Sequence, residues 1–196
     1  MEQASTPRRY NAIAIILHWT MAVGFLLMLG SGVAMTYMSI EQGLKFNLYQ
    51  WHKAGGVLLL IAFGVRIIWR LISGLRNQIP ALPQRFPKLE RIAAKLGHWG
   101  LYALMLAMPI SGWVMVSSSV YGLPTIVFGW FEWPHIPNIQ GNEVIQGLAK
   151  NAHFILAIAF GLMIFAHIGA VIKHYVKDNE NLMHRMWWSS QKEGKN

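Results

Sequence analysis

Residues 151–175 read NAHFILAIAFGLMIFAHIGAVIKHY, an apolar run that nevertheless carries His153, His167 and His174. No charged residue falls between 152 and 172, a length sufficient for a helix to cross the hydrocarbon core of a bilayer. Imidazole in lipid is costly and ordinarily faces a bundle interior with a partner. The fourteen-residue interval brings His153 and His167 to within about 40° of the same helix face, about 21 Å apart along the axis. That spacing suits two bulky groups, one near each leaflet.

The rest of the chain has the same character. Of 196 residues, 54% are hydrophobic and only 13% charged, about half the usual charged share of a soluble domain. Uncharged intervals cover 10–40, 96–131 and 151–172, and a fourth apolar segment at 48–72 is interrupted by Lys53, Arg66 and Arg70. Four segments of spanning length predict an all-α integral membrane four-helix bundle, a single domain over 1–196 with helices at about 10–37, 47–72, 97–120 and 147–176. The first apolar stretch is too long for a signal-peptide core and has no convincing cleavage site, so it is expected to be retained. Pro109 predicts a bend in the third helix, with Ser111 at hand for the freed backbone groups. No internal repeat or low-complexity tract is evident.

The net charge of +9 raises the question of nucleic acid, but the placement of the charges answers it. Lys and Arg crowd into Arg8 and Arg9, the 66–95 stretch, and the tail from Lys173 onward, whereas 121–147 contains Glu132 and Glu143 and no basic residue. Alternate connections are therefore basic, the pattern expected when both termini are cytoplasmic. The basic balance records topology, and no nucleic-acid partner is expected. The absence of cysteine excludes disulfides, thiolate-held iron–sulfur clusters and covalent C-x-x-C-H haem attachment. The connection at 77–95 has three prolines followed by a short amphipathic segment. That at 121–147, rich in Trp, Phe and Pro, is expected to lie along the interface as a cap.

In this topology histidines pair by depth. His52 opens the second helix at the level of His153, and His18 sits about two turns into the first helix at the level of His167. Small residues flank them at four-residue spacing: Ala14 and Ala22 around His18, Gly56 beyond His52, Ala149 and Ala157 around His153. Such strips leave room for a flat macrocycle, although small residues also serve close helix packing. Zinc takes four ligands, or three and a water, and no third ligand is obvious at either depth. Iron in a porphyrin needs only two axial groups. Two histidine pairs and no cysteine therefore point to two non-covalent haem b groups, held by His18 with His167 and His52 with His153. With both axial positions filled, electron transfer is favoured over oxygen binding.

The stretches ILHW (16–19), WHKAGGVLLL (51–60), VRIIWRL (65–71), LGHWGLYALMLAMPISGW (96–113) and 151–186, with the spacing H-x13-H-x6-H, resemble the bacterial cytochrome b561 family. That family comprises four-helix, di-haem, quinone-linked membrane cytochromes and includes superoxide oxidases. The resemblance covers nearly the whole chain. It implies His18, His52, His153 and His167 as axial ligands, ubiquinone as electron partner and the bacterial inner membrane as location.

His174 and His98 are candidates for contact with a haem propionate or a quinone headgroup, supplying protons, or equally for water-accessible interfacial positions. Arg66 and Arg70, one turn apart, are candidate partners for haem propionates or lipid phosphates, with anchoring by the positive-inside rule as the plainer account. His135 and His184 are expected to be solvated loop residues. Lys53 and Lys150 form a cationic rim near the outer ligands that would attract a small anion such as superoxide. The expected function is electron transfer between a one-electron donor, a small anion or a protein, and quinone in the lipid. The alternatives are a cytochrome b subunit serving a dehydrogenase or hydrogenase partner, and a proton-coupled transporter with a histidine relay.

Overall fold

The computed structural model describes residues 9–80 and 86–188. Arg8, the middle of the 77–95 connection and the basic tail beyond Trp188, all part of the sequence reading, lie outside the described residues. Four long helices dominate: α1 (Ala12–Tyr37), α2 (Gln42–Leu75), α3 (Lys88–Ser117) and α4 (Glu143–Lys177). Each is long and apolar enough to cross a membrane, and together they form an all-α membrane bundle.

Several helices start earlier than the hydropathy indicates, because capping residues rather than apolar runs set their ends. Asn11 caps α1 by accepting from the Ala14 amide at 2.9 Å. Glu41 caps α2, starting it at 42 rather than 47, and its carboxylate accepts from the Gly43 and Leu44 amides at 2.8 and 2.9 Å. Those two hydrogen bonds hold the Glu41 carboxyl below its ordinary range. Asn142 caps α4, which starts at 143 rather than 147. The largest difference is α3, which begins at 88 rather than 97 and ends at 117 rather than 120. Its first turns, KLERIAAK, are made of good helix formers and run into the apolar stretch without a break. α3 also remains one helix through Pro109.

Packing follows chain order, α1 against α2, α2 against α3, and α3 against α4. Midway along the bundle, Met21, Phe25, Leu59, Phe63 and Phe160 form the buried core. The Phe25 and Phe160 rings meet edge to face with centroids 4.9 Å apart, the arrangement the ring quadrupoles favour. Around this core the surface is as apolar as the interior: Leu71, Leu162 and Phe165 are 64%, 65% and 77% exposed. A surface of this kind requires lipid as its solvent.

The connection between α3 and α4 contains a small antiparallel hairpin, β1 (Thr125–Val127) with β2 (Phe131–Trp133), which the sequence reading did not anticipate. Phe128 and Gly129, at φ +47° and +79°, turn the chain. Thr125 and Val127 face inward and are buried, while Ile126 faces out, the two-residue alternation of a half-covered strand. Side chains from the helix ends anchor this cap. Trp113 Nε1 donates to the Pro134 carbonyl at 2.8 Å, the Ile136 amide to Ser117 Oγ at 3.0 Å, and Lys53 Nζ to the Pro124 carbonyl at 2.9 Å. This is the hairpin end of the bundle. At the other, termini end, a short 3-10 helix at Leu182–Met186 folds under α1. There the Tyr10 amide donates to the Arg185 carbonyl at 3.1 Å and Trp19 Nε1 to the Met186 carbonyl at 2.7 Å.

Candidate functional site

At the hairpin end, α2 contributes His52 and α4 contributes His153, with ring centroids 6.2 Å apart. Each ring is fixed by a serine on the preceding helix. Ser31 Oγ on α1 lies 2.8 Å from His52 Nδ1 and donates to the Met28 carbonyl at 2.9 Å. Ser111 Oγ on α3 lies 2.9 Å from His153 Nδ1 and donates to the Met108 carbonyl at 2.8 Å. A hydroxyl has one proton. With that proton on the carbonyl, each serine oxygen accepts from an imidazole Nδ1–H, and the tautomer follows from this network. Both Nε2 atoms then carry lone pairs, the state a metal-binding histidine needs. Ser111 therefore serves His153, not only the backbone around Pro109.

Glycine makes the close approach workable. A Cβ at Gly112 would stand 3.2 Å from His153 Cε1, and one at Gly32 would stand 3.8 Å from His52 Cε1. A Cβ at Gly56, one turn beyond His52, would meet nothing within 4 Å.

The second pair lies at the termini end. His18 on α1 and His167 on α4 have centroids 6.4 Å apart. A third ring joins them, for His98 on α3 lies 5.6 Å from His167. His98 is exposed, and its Nδ1–H donates to the Ala94 carbonyl at 2.6 Å. Arg66 on α2 donates to His18 Nδ1 in a long hydrogen bond of 3.4 Å, while its Nε is buried without a partner. Arg66 and Arg70 both lie over the Tyr102 ring, at 5.8 and 5.5 Å from its centroid. A small cavity of about 30 Å³ opens here between Tyr10, Arg66, Trp69, Arg70, Ser73 and Tyr102.

The family model for prokaryotic cytochrome b561 matches residues 9–189. The chain belongs to that family. Among curated relatives, it is 31% identical to cytochrome b561 homolog 2 of Escherichia coli (strain K12) over 186 residues, 95% of each chain. It is 30% identical to the probable superoxide oxidase CybB of Yersinia pestis over 183 residues, covering 91% of this chain and 96% of that one. It is 28% identical to cytochrome b561 homolog 1 of Escherichia coli (strain K12) over 188 residues. Membership makes this a multi-pass bacterial membrane cytochrome b with an electron-transfer role, and it implies that the cytochrome binds haem b.

The residues fit such a group. Metal–imidazole bonds are about 2.0–2.1 Å, so two rings on opposite sides of one metal have centroids roughly 6.3 Å apart. Both observed separations match that figure. At the termini end the partnerless Arg66 Nε is a donor awaiting an anion, and haem carries two carboxylates. The His18 tautomer there differs, because a guanidinium only donates. An axial bond through Nε2 therefore requires Arg66 to turn from Nδ1 to another acceptor.

The other residues singled out from the sequence are dispersed. His174 stacks on Phe86 with centroids 4.5 Å apart and contacts Asp178 Oδ2 at 2.6 Å. Lys173 joins the same cluster, 2.5 Å from Glu90 and 2.9 Å from Asp178. The hydrogen bonds from Lys173 and His174 hold the Asp178 carboxyl below its ordinary range. Lys150 is exposed, whereas Lys53 is held by loop carbonyls, so the expected cationic rim is only partly open. His135 is not the solvated loop residue expected: folding of the cap shuts its Nε2 away from solvent without a partner. His184 is exposed on the 3-10 helix.

Sequence reading also missed a repeat. H-W-x11-S-G-x2-M occurs at 18–35 on α1 and again at 98–115 on α3. It aligns Ser31 with Ser111, Gly32 with Gly112 and Met28 with Met108. On the following helices, His52 and His153 are each followed fourteen residues later by a termini-end residue, Arg66 in one case and His167 in the other.

Proposed function

We propose that the protein is a di-haem cytochrome b that accepts single electrons at the hairpin end and delivers them to ubiquinone at the termini end. The observation that carries this reading is the two histidine pairs, at 6.2 and 6.4 Å, stacked at the two ends of one bundle. Bound haem supplies reversible one-electron chemistry, tuned by burial and by hydrogen bonds to the axial ligands. His52 with His153, and His18 with His167, hold the two irons.

Superoxide is the proposed donor, on the strength of the relative described as a probable superoxide oxidase. Two superoxide anions each give up one electron and leave as oxygen, and one ubiquinone takes the two electrons and two protons. No side chain acts as a nucleophile. Lys150, with the anchored Lys53 beside His52, raises the local concentration of an anion. At the termini end, His98 and His174 are the candidate proton donors to the quinone, and Arg66 and Arg70 the candidate partners of propionates. We place both termini in the cytoplasm of a bacterium and the 1–196 unit in the inner membrane as one domain.

Reduced-minus-oxidised spectra with haem quantification test this reading, followed by reduction with superoxide and with quinol. Two haems per chain, reducible from both sides, are expected. A colourless protein overturns it in favour of a histidine-relay transporter. Co-purification of a dehydrogenase subunit, without superoxide-driven reduction, replaces the donor. Replacing Lys150 with Gln should slow superoxide-driven reduction and weaken its salt dependence, leaving the cap anchored by Lys53.

A further inference from the structure

The hairpin-end site is built twice from one pattern. In each half of the chain, an S-G-x-x-M segment on the odd-numbered helix meets a histidine on the next helix. The aligned atoms make aligned contacts: Ser31 with Met28 and His52, Ser111 with Met108 and His153. Each aligned glycine lies beside the same histidine carbon, Cε1. Two helices separated by eighty residues of sequence thus make one local device, with all four donor–acceptor distances between 2.8 and 2.9 Å.

We propose that Ser31 and Ser111 are paired positioning residues, which hold His52 and His153 in the Nδ1–H tautomer and strengthen both as ligands through Nε2. The inference rests on His52 and His153 being the axial pair. The physical reason is that a hydrogen bond from Nδ1–H raises the electron density the opposite nitrogen offers to a metal. A more basic ligand favours the oxidised iron. Removing the acceptor therefore raises the reduction potential at the hairpin end and leaves the termini end, where neither serine lies, where it was. Because a serine attends each ligand, the two substitutions act in the same direction and the double variant shifts further than either alone.

The test uses the full chain purified with its haems. Potentiometric titration and low-spin electron paramagnetic resonance spectra are recorded for S31A, S111A, the double alanine variant and the double threonine variant. H52A and H153A identify which spectral component belongs to the hairpin end. In the double alanine variant, the expected change is a tenfold loss of preference for the oxidised state, equivalent to about 59 mV upward for one electron. The double threonine variant, which retains both hydroxyls, is expected to keep the original potential. Selective loss of the hairpin-end haem in the double alanine variant, with retention in the threonine variant, also supports the proposal. An unchanged potential and signal in the double alanine variant, or an equal shift at both ends, overturns it. If H52A and H153A each retain both haems, the axial pairing itself fails and the serine role falls with it. If they lose one haem but the alanine variants titrate like the parent, only the serine role fails.

Discussion

The two ends of the bundle place a histidine pair at nearly the same separation, 6.2 Å at the hairpin end and 6.4 Å at the termini end, yet hold it by different means. At the hairpin end each ring is tied to a neutral hydroxyl, and the two halves of the chain contribute equivalently. At the termini end the equivalence breaks: position 66 is arginine where the second half has His167, and the counterpart of His18 is the exposed His98. One end repeats one local arrangement on two helix pairs. The other has instead a cation, a third imidazole and a cavity. The symmetric end holds its pair through uncharged hydroxyls, whereas the asymmetric end sets a guanidinium and a further imidazole against its pair.

Removing a ligand is the severest test of that contrast. H52A or H153A should reduce haem content from two to one per chain, and H18A or H167A should remove the other, by pyridine haemochrome assay. H98A should retain both. Loss of a haem in H98A together with its retention in H18A would reassign the termini-end pair to His98 and His167, whose rings are in fact closer. Next in size is a Cβ beside the ligands. G112A places a carbon 3.2 Å from His153 and should displace the ring, whereas G32A, at 3.8 Å from His52, makes ordinary contact. Haem retention during detergent purification should therefore fall clearly in G112A and little in G32A. Equal losses would show that the two glycines crowd their histidines alike, against the difference in these distances.

The spans and the levels of the four histidines were legible in the sequence, whereas the contrast between the ends was not, and for identifiable reasons. Apolar length and the spread of Lys and Arg are averages over many residues, so the four spans emerged without knowledge of any contact. The fourteen-residue spacing of His153 and His167 fixed their common face, and helix direction then matched His52 and His18 by depth. Single-residue features escaped. Ser31 sits in an unremarkable apolar run, and its role exists only once α1 packs against α2. Caps such as Glu41 and Asn142 were readable in principle, but hydropathy outweighed them. The hairpin depends on backbone turns at Phe128 and Gly129 within an aromatic-rich loop, where no alternating pattern is long enough to announce a strand. The repeat was visible in the letters H-W and S-G, but the residues between those anchors mostly differ.

A smaller effect probes the guanidinium that lies against a histidine of the termini-end pair. R66Q removes a cation beside His18 and leaves a side chain of related shape. Loss of a nearby positive charge destabilises the added electron, so the termini-end potential should fall by an amount on the order of 1–2 kcal/mol in partly solvated surroundings. The hairpin-end potential should not move. A fall at both ends would indicate a general change in packing, and no fall at either would show that the guanidinium is fully neutralised by an anionic partner.

The smallest effect belongs to the cluster that joins the first turn of α3 to the end of α4. Asp178 is held below its ordinary value of 3.8 by hydrogen bonds from Lys173 and His174. A carboxyl with a lower value in the folded than in the unfolded chain binds fewer protons when folded. Its contribution is therefore complete above the unfolded value and is lost as pH falls through the folded one. Asp178 is solvent-exposed, so the contribution is modest, and it is absent from D178N at every pH. Thermal unfolding in detergent should show the parent slightly more stable than D178N at pH 7. That gap should persist to about pH 5 and close below pH 4. A gap that widened on acidification would overturn this account, because a carboxyl held below its ordinary value loses its contribution as it takes up a proton.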